Sequence, residues 1–458
     1  MKGYSMNIKQ RIDELLDETI DRIGQVVAYN SVSVYDENNS TDPFGSECTK
    51  VLEAALQMGK DEGFDVVNLD NKVGYIEFGE GDKTIGVLAH LDIVPCGEGW
   101  ASDPLTVLSK DGSLFGRGVV DDKGPAIACL TAMKIVKEIN PNPSKKIRLI
   151  LGLNEEVGSR CIKHYVEKCG HVDYGFTPDS NFPLIFGEKG SIRGTFSGKS
   201  DLFISIDGGT VSNAVCYKVN AVLDNSKVDK DALARALASY PVVYSIKATE
   251  AGIAVEVIGK AAHASTPQYG INAISYLMQA LKDSGCDDDF VNNYMRVFGL
   301  DTTGKNSGIA CQDEYGDLTC VTGVIHKEND LVTGSIDIRV PVKHDSKELA
   351  KVLAGNSNEH FLITIDCANP ALFYDPNSDF IQALLKAYQT STGDYDSKPL
   401  VIGGGTYAQS INNVIAFGPE HEGKCAYNIH DVNEQLPIEE LKEMIAVYVQ
   451  ALMNLLAL

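Results

Sequence analysis

Three times within the first 180 residues, an apolar run ends abruptly in ionisable side chains. Residues 84–89 lead into His90-Leu91-Asp92, residues 147–153 lead into Asn154-Glu155-Glu156, and the short stretch 175–178 leads into Asp179. An unbroken apolar run reads as a strand buried on both faces, the signature of a parallel sheet. Open α/β sheets place ligands beyond the carboxyl ends of such strands. A fourth acidic loop, Asp121-Asp122, sits between glycines in residues 116–125, just before a helical stretch. The four loops follow one another at intervals of about 31, 34 and 23 residues with helical patterns between them. That is the period of stacked β-α units and predicts an α/β fold. Loops leaving one edge of one sheet can converge in space.

The residue types in these loops carry chemistry. In a strand, positions i and i+2 point to one side, so His90 and Asp92 sit together. An Asp beside a His can accept the far ring N–H and leave the other nitrogen for a metal. The same pair also reads as a core histidine with a structural partner. Acids at a helix start, as at Asp121 and Asp122, are favoured by the dipole and read equally as a cap or as a loop folded around a ligand. Glu155 and Glu156 diverge, so one can bind metal while its neighbour faces the metal-bound water, or both simply open the helix expected over 159–168. One His and several carboxylates together suit a borderline-to-hard cation such as Zn, Mn or Co.

Elsewhere the pattern is structural. Helical spacing predicts helices over 8–27 and 47–62, and short strands follow at 65–69 and 73–78. From about 188 to 371 the chain becomes β-branched and alternating, with helices expected near 230–239 and 272–284, which reads as an inserted α+β domain. The expected organisation is therefore a first catalytic part at 1–187, an insert at 188–371 and a second catalytic part at 372–458. Within the insert, His263 lies in a small-residue turn and on its own reads as a surface residue. A helix near 379–390, the run Gly403-Gly404-Gly405-Thr406 before a further helix, a last strand at 415–419, His430 in another strand-end loop and a closing helix over 437–456 complete the chain. The glycine run matches no phosphate-binding pattern.

The formal net charge of −23 disfavours nucleic acid and anionic membranes as partners, and part of it is accounted for if carboxylates hold cations. Eleven cysteines without a C-x-x-C spacing argue against a disulfide framework and for a reducing cytoplasm. The opening residues 1–6 run straight into a polar amphipathic segment, and no apolar stretch of about 18 residues predicts a membrane span.

Taken together, the motifs HLDIVPCGEGW, GRGVVDDKGP, LNEEVGS, TPDSNFP, GKAAHASTP, IDIRVPV, GGGTYA and NIHDVNE carry a resemblance that covers nearly the whole chain. The chain resembles the co-catalytic zinc metallopeptidases related to aminoacylase, acetylornithine deacetylase and succinyl-diaminopimelate desuccinylase, and within them the peptidase V-type dipeptidases. The resemblance implies a central mixed, mostly parallel sheet flanked by helices, with an inserted α+β lid domain. It implies two divalent metal ions per chain, Zn first, with Mn or Co possible. His90 and Asp179 would bind one, Glu156 and His430 the other, and Asp121 would bridge them. Asp92 would orient His90, and Glu155 would be the general base for a metal-bridged hydroxide attacking short peptides, mainly dipeptides. His263 would polarise the scissile carbonyl, and Asn213, Arg339 and Gly404 would hold the substrate. Asp122, where the deacylases often carry Met, and the length of the insert favour the dipeptidase branch. That insert implies a monomer complete in itself, located in the cytoplasm. An N-acyl amino acid deacylase and a catalytically inactive binding homologue are the alternatives.

Overall fold

The computed structural model describes residues 7–458, so the expected run-in over residues 1–6 lies outside the described residues. The chain divides into two compact units. One comprises the residues up to Phe186 with Tyr374–Leu400 and Thr406–Leu458; the other comprises Gly187–Phe373 with Val401–Gly405. The expected insert at 188–371 compares with Gly187–Phe373, and Val401–Gly405, expected in the second catalytic part, groups with the second unit.

The first unit is built on a sheet whose strands lie in the order Asp65–Leu69, Val73–Phe78, Lys146–Gly152, Thr84–His90, Tyr174–Thr177 and Val414–Ala416. The last four run parallel and the first two antiparallel, so this part of the sheet is mixed and mostly parallel. Every residue of Thr84–His90 and Lys146–Gly152 except the first is buried, which requires cover on both faces. Helices provide it. Gly74 faces Leu52 and Leu56 of helix Ser46–Asp61, whereas Tyr75, pointing the other way, meets Tyr165 of helix Arg160–Cys169 with ring centroids 6.4 Å apart. The opening helix Ile8–Val27 starts where the Asn7 side chain accepts the Gln10 N–H, and it buries Ile12, Leu15, Thr19, Ile23 and Val26 at helical spacing. The closing helix Ile438–Leu456 buries a broad stripe, including Leu441, Met444, Tyr448, Leu452 and Leu455, and packs against helices Lys123–Ile139 and Asp379–Thr392.

Register decides what happens at the carboxyl edge. His90 pairs with Gly152, and Thr177 pairs with Ala416. The loops that leave after His90, Gly152, Thr177 and Ala416 therefore start from one edge of the sheet.

The second unit is α+β. Its antiparallel sheet runs in the order Val243–Thr249, Gly252–Ile258, Lys218–Leu223, Phe203–Gly208, Ile325–Glu328, Leu331–Val340, Gly190–Lys199 and Leu362–Asn369. Its core is aromatic-rich: Phe196 stacks on Phe361 at 5.7 Å and meets Tyr294 and Phe298 of the segment around helix Asp289–Val297. Among the described residues no helix is long and apolar enough to cross a membrane, and all eleven cysteines are free thiols.

Candidate metal centre

The edge loops of the first unit bring His90, Asp92, Asp121, Glu155, Glu156, Asp179 and His430 into one cluster. Asp121 is its hinge. One carboxylate oxygen lies 3.0 Å from His90 Nε2 and the other lies 2.9 Å from His430 Nε2. Glu156 Oε1 is 3.3 Å from the same His430 nitrogen, yet it is buried and makes no hydrogen bond. Donor atoms of His90, Asp121 and Glu156 all lie within 4.8 Å of one another, and those of His90, Glu155 and Asp179 do the same. Two imidazole nitrogens and several carboxylates within such distances are the donor set of a borderline cation, so the residues fit a metal pair.

The two aspartates of the pair do different things. Asp122 occupies the N-cap position of helix Lys123–Ile139 but makes no capping bond with its side chain. Its Oδ2 instead accepts the His90 backbone N–H at 3.0 Å. The Asp121–Asp122 peptide is cis. Gly124 is required for the turn itself, since a Cβ there would stand 2.0 Å from the Val119 carbonyl oxygen.

Asp92 is fully buried and holds two neighbours. His90 Nδ1 is 3.0 Å from the Asp92 carbonyl oxygen and 3.4 Å from its carboxylate. The two carboxylate oxygens also accept the backbone N–H groups of Glu155 (3.1 Å) and Glu156 (3.2 Å). One buried acid thus fixes the His90 ring and the corner bearing both glutamates.

Charge crowding is the dominant electrostatic fact. Burial, with the charges of Glu156, Asp92 and Asp121, lifts Glu155 from 4.5 to about 7 against the pull of His90. Burial and the Asp121 charge raise Asp179 well above the usual carboxylate range. Burial likewise raises Asp122. Asp121 goes the other way: burial works to raise it, but the hydrogen bonds from His430 and His90 outweigh that and hold it well below the usual range. His430 is raised from 6.5 to about 10 by its bond to Asp121 and by the Glu156 carboxylate beside it. The His90 ring is raised as well, its bonds to Asp121 and Asp92 outweighing burial. The chain alone balances these acids with protons on the two imidazoles. Cations held by this donor set would take the place of those protons, with both rings then neutral ligands.

The remaining expected residues lie in the second unit and form a group of their own. His263 is exposed, and its Nδ1 lies 2.7 Å from Ser265 Oγ and accepts the Ser265 backbone N–H at 3.2 Å. A backbone N–H can only donate, so Nδ1 is the acceptor and the neutral ring carries its hydrogen on Nε2. Burial and the Arg339 charge lower the His263 pKa, which favours that neutral form. Asn213 is exposed, and its carbonyl accepts the Ala264 N–H at 2.9 Å, pinning the His263 turn. Arg339 is largely spoken for. Its Nε and Nη2 bind the two oxygens of buried Asp337 at 2.6 and 3.1 Å, and Nη1 donates to the Gly403 carbonyl at 3.0 Å. Gly403, not Gly404, is where the glycine run is tight: a Cβ on Gly403 would stand 2.3 Å from Ser265 Cβ, while one on Gly404 meets nothing within 4 Å.

Several residues escaped the sequence reading. Glu434 is wholly buried, and its carboxylate accepts from Arg117 and from the backbone of the Asp121 loop. Its place in NIHDVNE, four residues after His430, is the only signal the sequence offers. Glu420 leaves the same sheet edge, and burial with the Asp121 charge raises it from 4.5 to about 7. Tyr407, in GGGTYA, sets its ring edge-on to His90 at 5.9 Å.

Comparison with known proteins gives the family. Residues 86–454 match the peptidase family M20/M25/M40. The putative dipeptidase YtjP of Bacillus subtilis (strain 168) is 34% identical over 445 residues, covering 92% of this chain and 94% of that one. The β-Ala-Xaa dipeptidase of Lactobacillus delbrueckii subsp. lactis is 30% identical over 465 residues, covering 98% of each. Among solved structures, human carnosine dipeptidase 1 shares the fold with a TM-score of 0.58 at 18% identity and 98% coverage of both chains.

Proposed function

This chain belongs to peptidase family M20/M25/M40 and is a dipeptidase, a hydrolase acting on peptide bonds; we propose that it works with two divalent cations held by the cluster around Asp121. The observation that carries this reading is that each oxygen of Asp121 meets a different imidazole. His90 and Asp179 would hold one cation, Glu156 and His430 the other, and Asp121 both. Zn suits the set first, and its carboxylate content also accepts Mn or Co. When bound, such a pair supplies Lewis acidity to the scissile carbonyl and lowers the pKa of a water.

The chain's own residues do the rest. Glu155, lifted towards neutrality, accepts the proton of the attacking water and hands it to the leaving amine. Asp92 keeps His90 and the Glu155–Glu156 corner in place. His263, with its hydrogen on Nε2, donates to the oxyanion that develops at the carbonyl. Arg339 offers the substrate carboxylate the one N–H left on each of Nη1 and Nη2, since Asp337 and the Gly403 carbonyl take the others. Asn213 and Gly404 complete the grip on the substrate. The second unit serves as a lid that excludes water. We expect a monomer in the cytoplasm, where eleven free thiols persist; sedimentation near 49.5 kDa with full specific activity is the outcome that fits, and activity confined to a dimer contradicts it.

The substrate reading is tested by stripping the protein of metal, adding back Zn, Mn or Co, and offering free dipeptides (a β-alanyl dipeptide among them), a tripeptide and N-acyl amino acids. Metal-dependent cleavage of the dipeptides is expected. Cleavage of the acylated compounds alone would move the chain to the deacylases, and no cleavage with any metal would leave a binding protein.

A further inference from the structure

The loop that carries His430 has an unusual backbone. Asn428, His430 and Asn433 all have left-handed φ values, +56°, +60° and +59°. Outside glycine such values are uncommon and fall mostly on Asn, Asp and His, so three within six positions mark a tightly turned loop whose path leans on its surroundings. The direction of the His430 side chain therefore depends on whatever holds this loop.

What holds it is a buried ion pair that also holds the Asp121 loop. Arg117 and Glu434 are 1% and 0% exposed, and Arg117 Nη1 donates to Glu434 Oε2 at 2.8 Å. The same Oε2 accepts the Gly118 N–H at 3.0 Å, while Oε1 accepts the N–H groups of Val120 (2.8 Å) and Asp121 (3.1 Å). Arg117 Nη2 returns to the His430 side, donating to the Asp431 carbonyl at 3.0 Å. The main chain adds a rung, Gly116 N–H to Glu434 carbonyl at 3.1 Å. An acid from the His430 loop thus grips the Asp121 loop, and a cation from the Asp121 loop grips the His430 loop. The two segments lie more than 300 residues apart in sequence, so no local structure sets their spacing.

We infer that the Arg117–Glu434 pair is a positioning device that sets the separation of Asp121 from His430, and so the affinity for the cation those two residues share. Neither residue is among those that would hold the cation or the substrate. The inference rests on the two-cation reading above, which the test separates from it.

Metal-stripped full-length protein is titrated with Zn by calorimetry, wild type beside Glu434→Gln, Arg117→Met and Glu434→Asp. Wild type binds two ions. In Glu434→Gln and Arg117→Met the site that includes His430 weakens by about 10–100-fold, the range for removing partners of metal ligands, and the other site weakens less. Turnover lost at limiting Zn returns at excess Zn, which damage to the fold does not allow. Glu434→Asp keeps the charge beside Arg117 and shortens its reach by one methylene; it guards against misfolding of the other two and shows the same selective weakening, smaller. Wild-type affinities at both sites in folded Glu434→Asp, or equal weakening of both sites, overturns the inference alone. Absence of a second ion from the wild type overturns the two-cation reading and the inference with it.

Discussion

The Asp121 cluster and the His263–Arg339 group solve the problem of holding polar side chains in opposite ways. The first gathers at the edge of a parallel sheet around the buried His90, Asp92 and Asp121, with His430 exposed at its rim, and it is crowded with acids and balanced through two imidazoles on one carboxylate. The second lies in an antiparallel sheet domain, with His263 exposed and tied only to its own turn, and Arg339 neutralised by Asp337 two residues before it. On the proposed reading the Asp121 cluster takes cations to offset its acids, whereas in the second group Arg339 and Asp337 already offset each other. On the proposed roles, a chain built this way separates the holding of metal from contact with the substrate. Changes in one region are expected to leave the other's signature intact.

The sharpest way to break this division is Glu155→Gln. It should lower kcat by about 10²–10⁴-fold while two ions still bind, the range for loss of a general base; turnover within tenfold of wild type would remove Glu155 from that role. His263→Ala should cost about 10²–10³-fold in kcat, as loss of an oxyanion donor does, with metal affinity unmoved. If His263→Ala shed a metal instead, the two regions would not be separable. Arg339→Lys should act mainly on KM, raising it about 10–100-fold, the equivalent of the roughly 1.5–3 kcal/mol of a charge-assisted hydrogen bond. A fall in kcat at unchanged KM would place Arg339 with the reacting bond.

The smallest effect is on stability. Burial and the surrounding charges raise Glu155 and Glu420 from 4.5 to about 7. Between those values the folded chain keeps protons that the unfolded chain has lost, so stability falls as pH rises through that window. His430, raised from 6.5 to about 10, contributes fully below pH 6.5 and progressively less as pH climbs towards 10. The signs agree. Metal-free protein should melt at a lower temperature at pH 8 than at pH 5, and Zn should restore most of the difference at pH 8. A metal-free melting temperature that rises over this range would contradict the charge crowding described for the cluster.

The two regions also differed in how plainly the sequence announced them. The apolar runs 84–89 and 147–153, which stop at His90 and at Asn154-Glu155, read as strands because they are short, rich in β-branched and aliphatic residues and bounded by polar loops; the short stretch before Asp179 carries less of that signal. Their convergence follows from parallel pairing, and the register of His90 with Gly152 realises it. The insert's alternating pattern likewise reads as an α+β domain, and its main sheet is antiparallel. Glu434 was invisible for a physical reason: one acid in a polar loop looks solvated until a loop more than 300 residues away folds over it. Asp337 was missed similarly, since the alternation of Ile336, Ile338 and Val340 gives no sign that the acid between them is buried against Arg339. The helix expected after Gly403-Gly404-Gly405-Thr406 is only the 3-10 turn Tyr407–Ser410. Thr406 caps it, but Ile411 turns extended at φ −144° and stops it. Propensity called for a helix there, and the approach to strand Val414–Ala416 overrode it.

The central claim is that this chain hydrolyses dipeptides with two cations gathered around Asp121. Its most direct test is a titration of metal-stripped protein with Zn in which bound metal and dipeptide turnover are followed together. Two ions are expected to bind per chain, with turnover that appears as they bind, and one of them is expected to be lost in His430→Ala but neither in His263→Ala. Full turnover without metal, or a single bound ion at full turnover, would contradict it.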